Sequence, residues 1–210
     1  MYGRFTDGDV HTPRSRAPVR AIELHTDSEI MEWAMDMFDP DSVRSIELDF
    51  REAKWVRISA FDPFGPFLER YGVNIEHLSF GMPAGGIFPE REVESLTGCR
   101  NLRTLTLTTP RHNAWSSAYM VLRSLPPSVR EIKMHLVADF DEYKEDDEPD
   151  MSTFDWQGLD EMLAQCTELA VLDVNVVLVE EDRYWAVYKE QQKAIWANVS
   201  PRIGRILRFV

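Results

Sequence analysis

The chain has 210 residues, 44% of them apolar, and 23 Lys and Arg set against 36 Asp and Glu, for a formal net charge of −13. Such a charge argues against a nucleic-acid partner, because affinity for a phosphate backbone comes mostly from Lys and Arg, and it points instead to basic proteins. The polar, Arg-containing opening from Met1 to Pro18 shows no apolar stretch of secretory type, and no run approaches the roughly 20 apolar residues of a membrane span; a membrane partner is not expected, and cytoplasm or nucleus is.

In chain order, residues 1–18 carry no periodicity and are expected to be a flexible entry segment; no linker-like shift divides 19–210, which reads as one domain. From Val19 onward one phrase recurs, an apolar residue followed by others three and five positions later. Its copies are Val19, Ile22, Leu24; Val43, Ile46, Leu48; Ile75, Leu78, Phe80; Leu102, Leu105, Leu107; Val129, Ile132, Met134; and Leu169, Leu172, Val174, with a degraded seventh from Ile203 to Phe209. Successive starts are 24, 32, 27, 27 and 40 residues apart. Between them the spacing predicts helices over 28–38 with Ser28 as N-cap, 63–71, 89–97 with Pro89 at its first position, 114–125, 154–165 and 182–198. Pro40, Gly72, Gly98 and the pair Pro126 and Pro127 stop four of them.

Alternating strands and helices build either an open doubly wound sheet, helices on both faces, or a solenoid with helices on one side. A doubly wound sheet buries both faces of its central strands, which then read as continuous apolar runs. Here the strands alternate, as in Thr104, Leu105, Thr106, Leu107, Thr108. An α/β solenoid of six or seven strand-helix units is therefore expected, its parallel sheet on the concave side. Doubly wound α/β remains the alternative, carried by the nearly continuous apolar stretch from Leu169 to Val179.

The free positions of the phrase form three polar columns. The central column is Glu23, Glu47, Ser79, Thr106, Lys133, Asp173; the following one His25, Asp49, Gly81, Thr108, His135, Asn175; the preceding one Ala21, Ser45, His77, Thr104, Glu131, Val171. Exposed side chains held in register make a preorganised binding surface. Its candidate protein-binding residues are Glu23, His25, Glu47, Asp49, His77, Ser79, Thr104, Thr106, Thr108, Lys133, His135, Asp173 and Asn175, with His25 expected beside Asp49 on the next rung. The surface reads as acidic over its first third and neutral in the middle.

Cys99 and Cys166 each precede the first anchor of a strand by three residues, one full repeat lying between them. With strands about 4.8 Å apart, two rungs put the sulfurs roughly 10 Å from each other, beyond the roughly 7 Å reach of a disulfide; two buried free thiols are expected. Residues 139–150 hold eight carboxylates and one Lys, which predicts a solvated acidic loop able to steer basic partners. The tryptophans, Trp33, Trp115, Trp156, Trp185 and Trp196 among them, are expected to plug the core, and the last helix, with Trp185, Tyr188 and Trp196, to cap the sheet or meet a partner. No nucleophile elbow, zinc motif, phosphate loop or dinucleotide fingerprint is present, and the five histidines are scattered, so no enzyme, metal or cofactor is expected.

The phrase and its period resemble leucine-rich repeats. CRNLRTLTL (99–107) and CTELAVLDV (166–174) resemble the cysteine-containing repeats of F-box proteins, the substrate receptors of ubiquitin ligases, and LRSLPPSVREIKM (122–134) is similar to the irregular leucine-rich regions of fungal F-box-type proteins. That resemblance implies a non-catalytic module that binds a protein on the concave strand face, with substrate recognition for a ubiquitin ligase as its setting. Where family repeats often carry Asn or Cys this chain has Asp27, Arg51, Pro83, Pro110, Val137 and Val177, so no asparagine ladder is expected. The 18 residues before the repeats are too few for an F-box; a ligase adaptor is a partner only if one lies upstream, and otherwise the chain is a stand-alone repeat protein. Two other classes stay open: an enzyme on a doubly wound sheet, and a self-assembling structural protein that pairs through an open edge strand near Phe209 and Val210.

Overall fold

The computed structural model describes residues 16–25, 28–50, 63–82, 93–109, 115–138, 154–178 and 181–210. In order these form β1 (Ala21–His25), α1 (Ser28–Met37), β2 (Ser45–Asp49), α2 (Phe64–Tyr71), β3 (His77–Gly81), a 3-10 turn (Ser95–Gly98), β4 (Thr104–Thr109), α3 (Trp115–Arg123), β5 (Glu131–Ala138), α4 (Leu159–Met162), β6 (Val171–Leu178), α5 (Glu181–Asn198), α6 (Pro201–Ile206) and β7 (Leu207–Phe209). The seven strands make one parallel sheet whose spatial order is the chain order.

That order follows from the repeated phrase. Its second and third anchors alternate with polar residues, so each strand has one face to bury. In register, Ile22, Ile46, Leu78, Leu105, Ile132, Leu172 and Leu207 form one buried file across the sheet. Leu24, Leu48, Phe80, Leu107, Met134, Val174 and Phe209 form a second, buried except for the half-buried Phe209. Slipping one strand by one residue would move its buried pair to the solvated face, at about 1.5–3 kcal/mol for each large apolar side chain exposed. The anchors therefore set the register.

The helices supply the other half of the core. Met31 and Ala34 of α1, Phe64, Phe67, Leu68 and Tyr71 of α2, Ala118, Val121 and Leu122 of α3, and Leu159 and Met162 of α4 join the inward strand residues in one cluster. Tyr71 ties neighbouring units, its hydroxyl donating to the carbonyl oxygens of Ala34 at 2.8 Å and Phe38 at 3.3 Å. Where crossovers between consecutive parallel strands are right-handed and step in one direction, the helices they carry fall on one side of the sheet. Consistent with this, the opposite face of β1 carries exposed Ala21, Glu23 and His25.

One backbone device recurs at the strand entries. The carbonyl oxygen of Arg20 accepts from the N–H groups of both Arg44 and Ser45, at 2.9 and 3.2 Å. The carbonyls of Arg44, Glu76, Arg103 and Arg130 do the same for the next unit, the last accepting from Ala170 and Val171.

Several expectations need correction. The sheet never reverses its strand order, so it has no switch point, and a doubly wound arrangement is not what forms. Of the helix expected over 89–97, the described part is a short helical turn at 93–94 running into the 3-10 turn, whose Cys99 N–H closes on Leu96 O. Of 154–165 only Leu159–Met162 is α-helical; Gly158 at its N-cap offers no side chain to accept from the first turn. The seventh copy is in a different phase: Ile203 is buried in α6, and Leu207 and Phe209 carry the two strand anchors. Order also begins earlier than Val19, since Ala17 N–H donates to Met37 O at 2.9 Å and Asp39 N–H returns to Ala17 O at 3.0 Å. Residues 1–15 of the expected flexible segment, and the acidic stretch 139–150, lie outside the described residues.

Cys99 and Cys166 are both buried free thiols. No helix among the described residues is long and apolar enough to cross a membrane.

Candidate interaction surface

The strand pleat sets the three polar columns side by side with the register read from the phrase: Glu23, Glu47, Ser79, Thr106, Lys133 and Asp173 are successive partners, as are His25, Asp49, Gly81, Thr108, His135 and Asn175. His77 and Thr104 stand in the third column, opposite Ser45 and Glu131 respectively. Neighbouring members are one strand spacing apart, about 4.8 Å. The sheet thus sets all thirteen candidate residues in the three columns.

Their exposure is uneven. Glu23, His25, Glu47 and His77 are exposed, while Ser79, Thr104, Thr106, Thr108, Lys133, His135, Asp173 and Asn175 are half-buried. Asp49 is the exception: at 8% exposure it is buried, although strand parity puts it on the polar face. It lies at the end of β2. Asp49 is therefore a structural carboxylate more than a contact residue, with His25 Nδ1 3.9 Å from its Oδ2. The expected neighbourhood of the two is present.

Charge separates the two ends of the surface. At β1 and β2, His25 Nε2 lies 3.3 Å from Glu23 Oε1, and Glu47 stands exposed with no ion pair among the described residues. Further along, positive and negative groups neutralise each other within the surface: Lys133 Nζ lies 3.4 Å from Glu131 Oε1, and Arg208 Nε 3.2 Å from Asp173 Oδ1. Among the described residues, the exposed carboxylates of the polar columns are thus Glu23 and Glu47, on the first two rungs. The middle, through Ser79, Thr104, Thr106 and Thr108, offers hydroxyl donors and acceptors without charge.

Two groups of residues were not expected from the phrase. Arg208 is the seventh member of the central column, opposite Asp173, and was hidden by the shifted phase of the last copy. Arg20, Arg44, Arg103 and Arg130 occupy one phase of the repeat at the strand entries, the position after the first anchor; the signal was the recurring pair of apolar residue and Arg in four of six copies. Arg130 forks onto Glu168 at 2.7 and 2.8 Å, and Arg44 caps the Asp41 and Val43 carbonyls at 2.9 Å. Both are surface staples at the edge of the sheet.

Among the described residues no group of three or more His, Cys, Asp and Glu side chains is placed to hold a metal ion. The two cysteines lack the character of nucleophiles: burial pushes the Cys99 thiol up to about 12, and it raises Cys166 to about 11 against a smaller opposing effect of Arg202. A cleft of about 260 Å³ opens between residues 154–157 and α5, lined by Phe154, Asp155, Trp156, Gln157, Gln191, Ala194, Ile195 and Asn198. Its aromatic wall is buried, and Asp155 Oδ1 is engaged by Gly158 N–H at 2.8 Å. Trp156 does plug the core, as expected, but Trp33 and Trp196 do not, at 52% and 45% exposure; the side chains of Trp115, Trp185 and Tyr188 lie outside those described.

No family model, curated protein or solved structure matches the chain.

Proposed function

We propose that the chain is a leucine-rich-repeat-type solenoid acting as a non-catalytic protein-interaction module, with a protein ligand bound on the open strand face. One observation carries the reading: side chains of seven consecutive strands stand in register on a polar face, and among the described residues its exposed carboxylates, Glu23 and Glu47, lie on its first two rungs. Helices are wider than strands, so stacked strand-helix units curve with the strands inward, and a concave sheet can enclose a ligand. The ligand would lay a Lys- or Arg-bearing element over Glu23 and Glu47 and an uncharged stretch over the Ser and Thr rungs. Like charges from an acidic ligand would be repelled there. The acidic stretch 139–150 adds long-range attraction for the same basic partners.

The resemblance of 99–107 and 166–174 to F-box receptors would make the bound protein a ubiquitin-ligase substrate. A photo-cross-linking amino acid at Ser79 of the full chain, used in the source cell, tests both levels of the proposal. The expected product is a discrete protein adduct that is lost on Glu47→Lys and on Thr106→Arg. Adducts that survive both substitutions would sink the strand-face reading. Accumulation of the captured protein when the chain is depleted supports the ligase setting, and unchanged turnover removes it.

A further inference from the structure

Six large apolar side chains stand exposed among the described residues, and three of them, Ile30, Trp33 and Met37, lie on α1 at 38%, 52% and 37% exposure. At about 100° per residue these three fall within an arc of about 60°. It adjoins a second arc of about 100°, which holds the core-facing Met31 and Ala34 and the half-buried Met35 and Phe38. A surface helix needs only the stripe that meets its core. The apolar side of α1 is about twice that wide.

Where the outer arc ends beyond Trp33, the helix presents exposed Glu32 and Asp36, and its last turn has no basic residue. Trp33 is also held in place: its ring meets Phe38 edge-on, with centroids 5.5 Å apart. A fixed, half-exposed Trp with an acidic flank has the features of an interface anchor, with little ordering left to do on association.

The geometry points to α1 as a docking site, separate from the strand face, for an amphipathic helix of another protein that carries Lys or Arg beside its apolar side. The exposed stripe spans about two helical turns, roughly 10 Å, which matches one helix crossing another. Charge selects this occupant over three others. A symmetric contact with a second copy would bring Glu32 and Asp36 toward their own counterparts. Residues 1–15 contain Arg4 and Arg14 against Asp7 and Asp9 and so bring no net positive charge. An anionic bilayer would repel a chain of net charge −13.

The probe is a fluorescein-labelled helical peptide of about 20 residues, with Leu on one side and Lys on its flank, titrated into the full chain at low and high salt. Saturable binding that weakens with salt is expected. Trp33→Ala and, as an independent variant, Met37→Glu each weaken it about tenfold or more, while their circular dichroism and thermal unfolding stay close to those of the parent. Asp36→Lys weakens it severalfold at low salt only, and Glu161→Lys on α4, outside both proposed surfaces, leaves it unchanged. A matched peptide with Glu in place of Lys does not bind. Equal affinity in Trp33→Ala and Met37→Glu overturns the proposal. Dimerisation abolished by Trp33→Ala assigns the stripe to a second copy, and a cross-linker at Met37 that captures residues 1–15 of the same molecule assigns it to that segment; either result overturns it too.

Discussion

The sulfur of Cys99 occupies the space that a side chain on Gly72 would need. A Cβ at Gly72 would come within 2.8 Å of Cys99 Sγ and overlap the Leu68 carbonyl oxygen. Gly72 has φ −57°, which any residue adopts, so what keeps glycine here is space alone. It lets the end of α2, where Gly72 N–H closes on Leu68 O at 2.6 Å, pack directly against the turn that enters β4. Gly72→Ala should destabilise the fold by about 1–3 kcal/mol, the usual cost of overpacking. Urea unfolding in both Cys99 and Cys99→Ala backgrounds checks the cause: the penalty should shrink by about 0.5 kcal/mol or more when the sulfur is gone. An equal penalty would place the clash on the Leu68 carbonyl instead.

The same burial makes the two thiols inert. With Cys99 raised to about 12 and Cys166 to about 11, neither ionises appreciably near neutral pH. Iodoacetamide at pH 8 should label neither cysteine in the native protein and both in urea, Cys166 reacting first as pH is raised. Since the folded values lie above the unfolded one near 9, folding holds these protons more tightly. The associated stability is intact below pH 9 and declines as pH climbs toward 11 and 12. Urea midpoints at pH 8 and pH 10 should show the fall, and rapid native labelling at pH 8 would refute the assignment.

Arg202 fastens the last strand to the sheet. From α6 its guanidinium donates to Asp160 Oδ1 at 2.8 Å, to the Leu163 carbonyl at 3.0 Å and to the Cys166 carbonyl at 3.2 Å. It thereby joins α6 to α4 and to the turn before β6. Arg202→Ala should cost about 1–3 kcal/mol through the carbonyls it leaves unpaired, and Lys should restore little because it lacks the planar fork. Hydrogen exchange would locate the loss in β7 and its pairing with β6; uniform loosening of the whole sheet would argue against a local fastener.

The hydrogen bond from Arg202 also holds the Asp160 carboxyl below its ordinary range, aided by Ser200 and opposed by desolvation. A lowered folded value means the contribution is present above the unfolded carboxylate pKa and is lost as pH falls through the folded one. Both groups are more than a third exposed, so the effect is modest and screened by salt. Asp160→Asn should be slightly less stable than the parent at neutral pH, with the gap closing as pH falls below about 4; a gap that persists unchanged into acid would contradict this linkage.

Adjacent residues of β4 should respond in opposite ways. Leu105 is fully buried, and Leu105→Ala should cost about 2–5 kcal/mol. Thr106 faces the open side, and Thr106→Ala should change stability by no more than about 0.5 kcal/mol. Chemical denaturation of the two variants decides whether β4 has one covered face; comparable losses would mean both faces are packed.

How much of this was legible in the sequence differs by level. The ladder was, because Ile22, Leu24 and their equivalents alternate with polar residues strictly enough to set strand, face and register together. The polar columns followed with no further information. Asp49 stands in the column read for it, but its 8% exposure was not legible, because parity states only the direction of a side chain. The helix expected over 154–165 shrank to Leu159–Met162 because apolar spacing locates a core contact without stating whether turns or a helix deliver it. Ser200 and Pro201, by contrast, announce α6 in standard form, Ser200 Oγ accepting from Ile203 N–H at 3.2 Å. They were obscured by reading the last copy from Ile203 instead of from its true strand anchors at Leu207 and Phe209. Trp33 read as core because the spacing of α1 cannot tell a covered apolar side from an uncovered one.

The paired donors at each strand entry have an evolutionary corollary. Connections between successive units range from 24 to 40 residues from start to start, yet every strand meets its neighbour without offset. The carbonyl of Arg20 or Arg130 captures the incoming chain only at the point where pairing starts, so residues gained or lost upstream cannot propagate into the sheet. Length variation is thereby uncoupled from alignment. Lineages descended from such a chain can remodel the connections freely while inheriting the same surface, and their kinship would show in the spacing of the anchors long after overall similarity has faded.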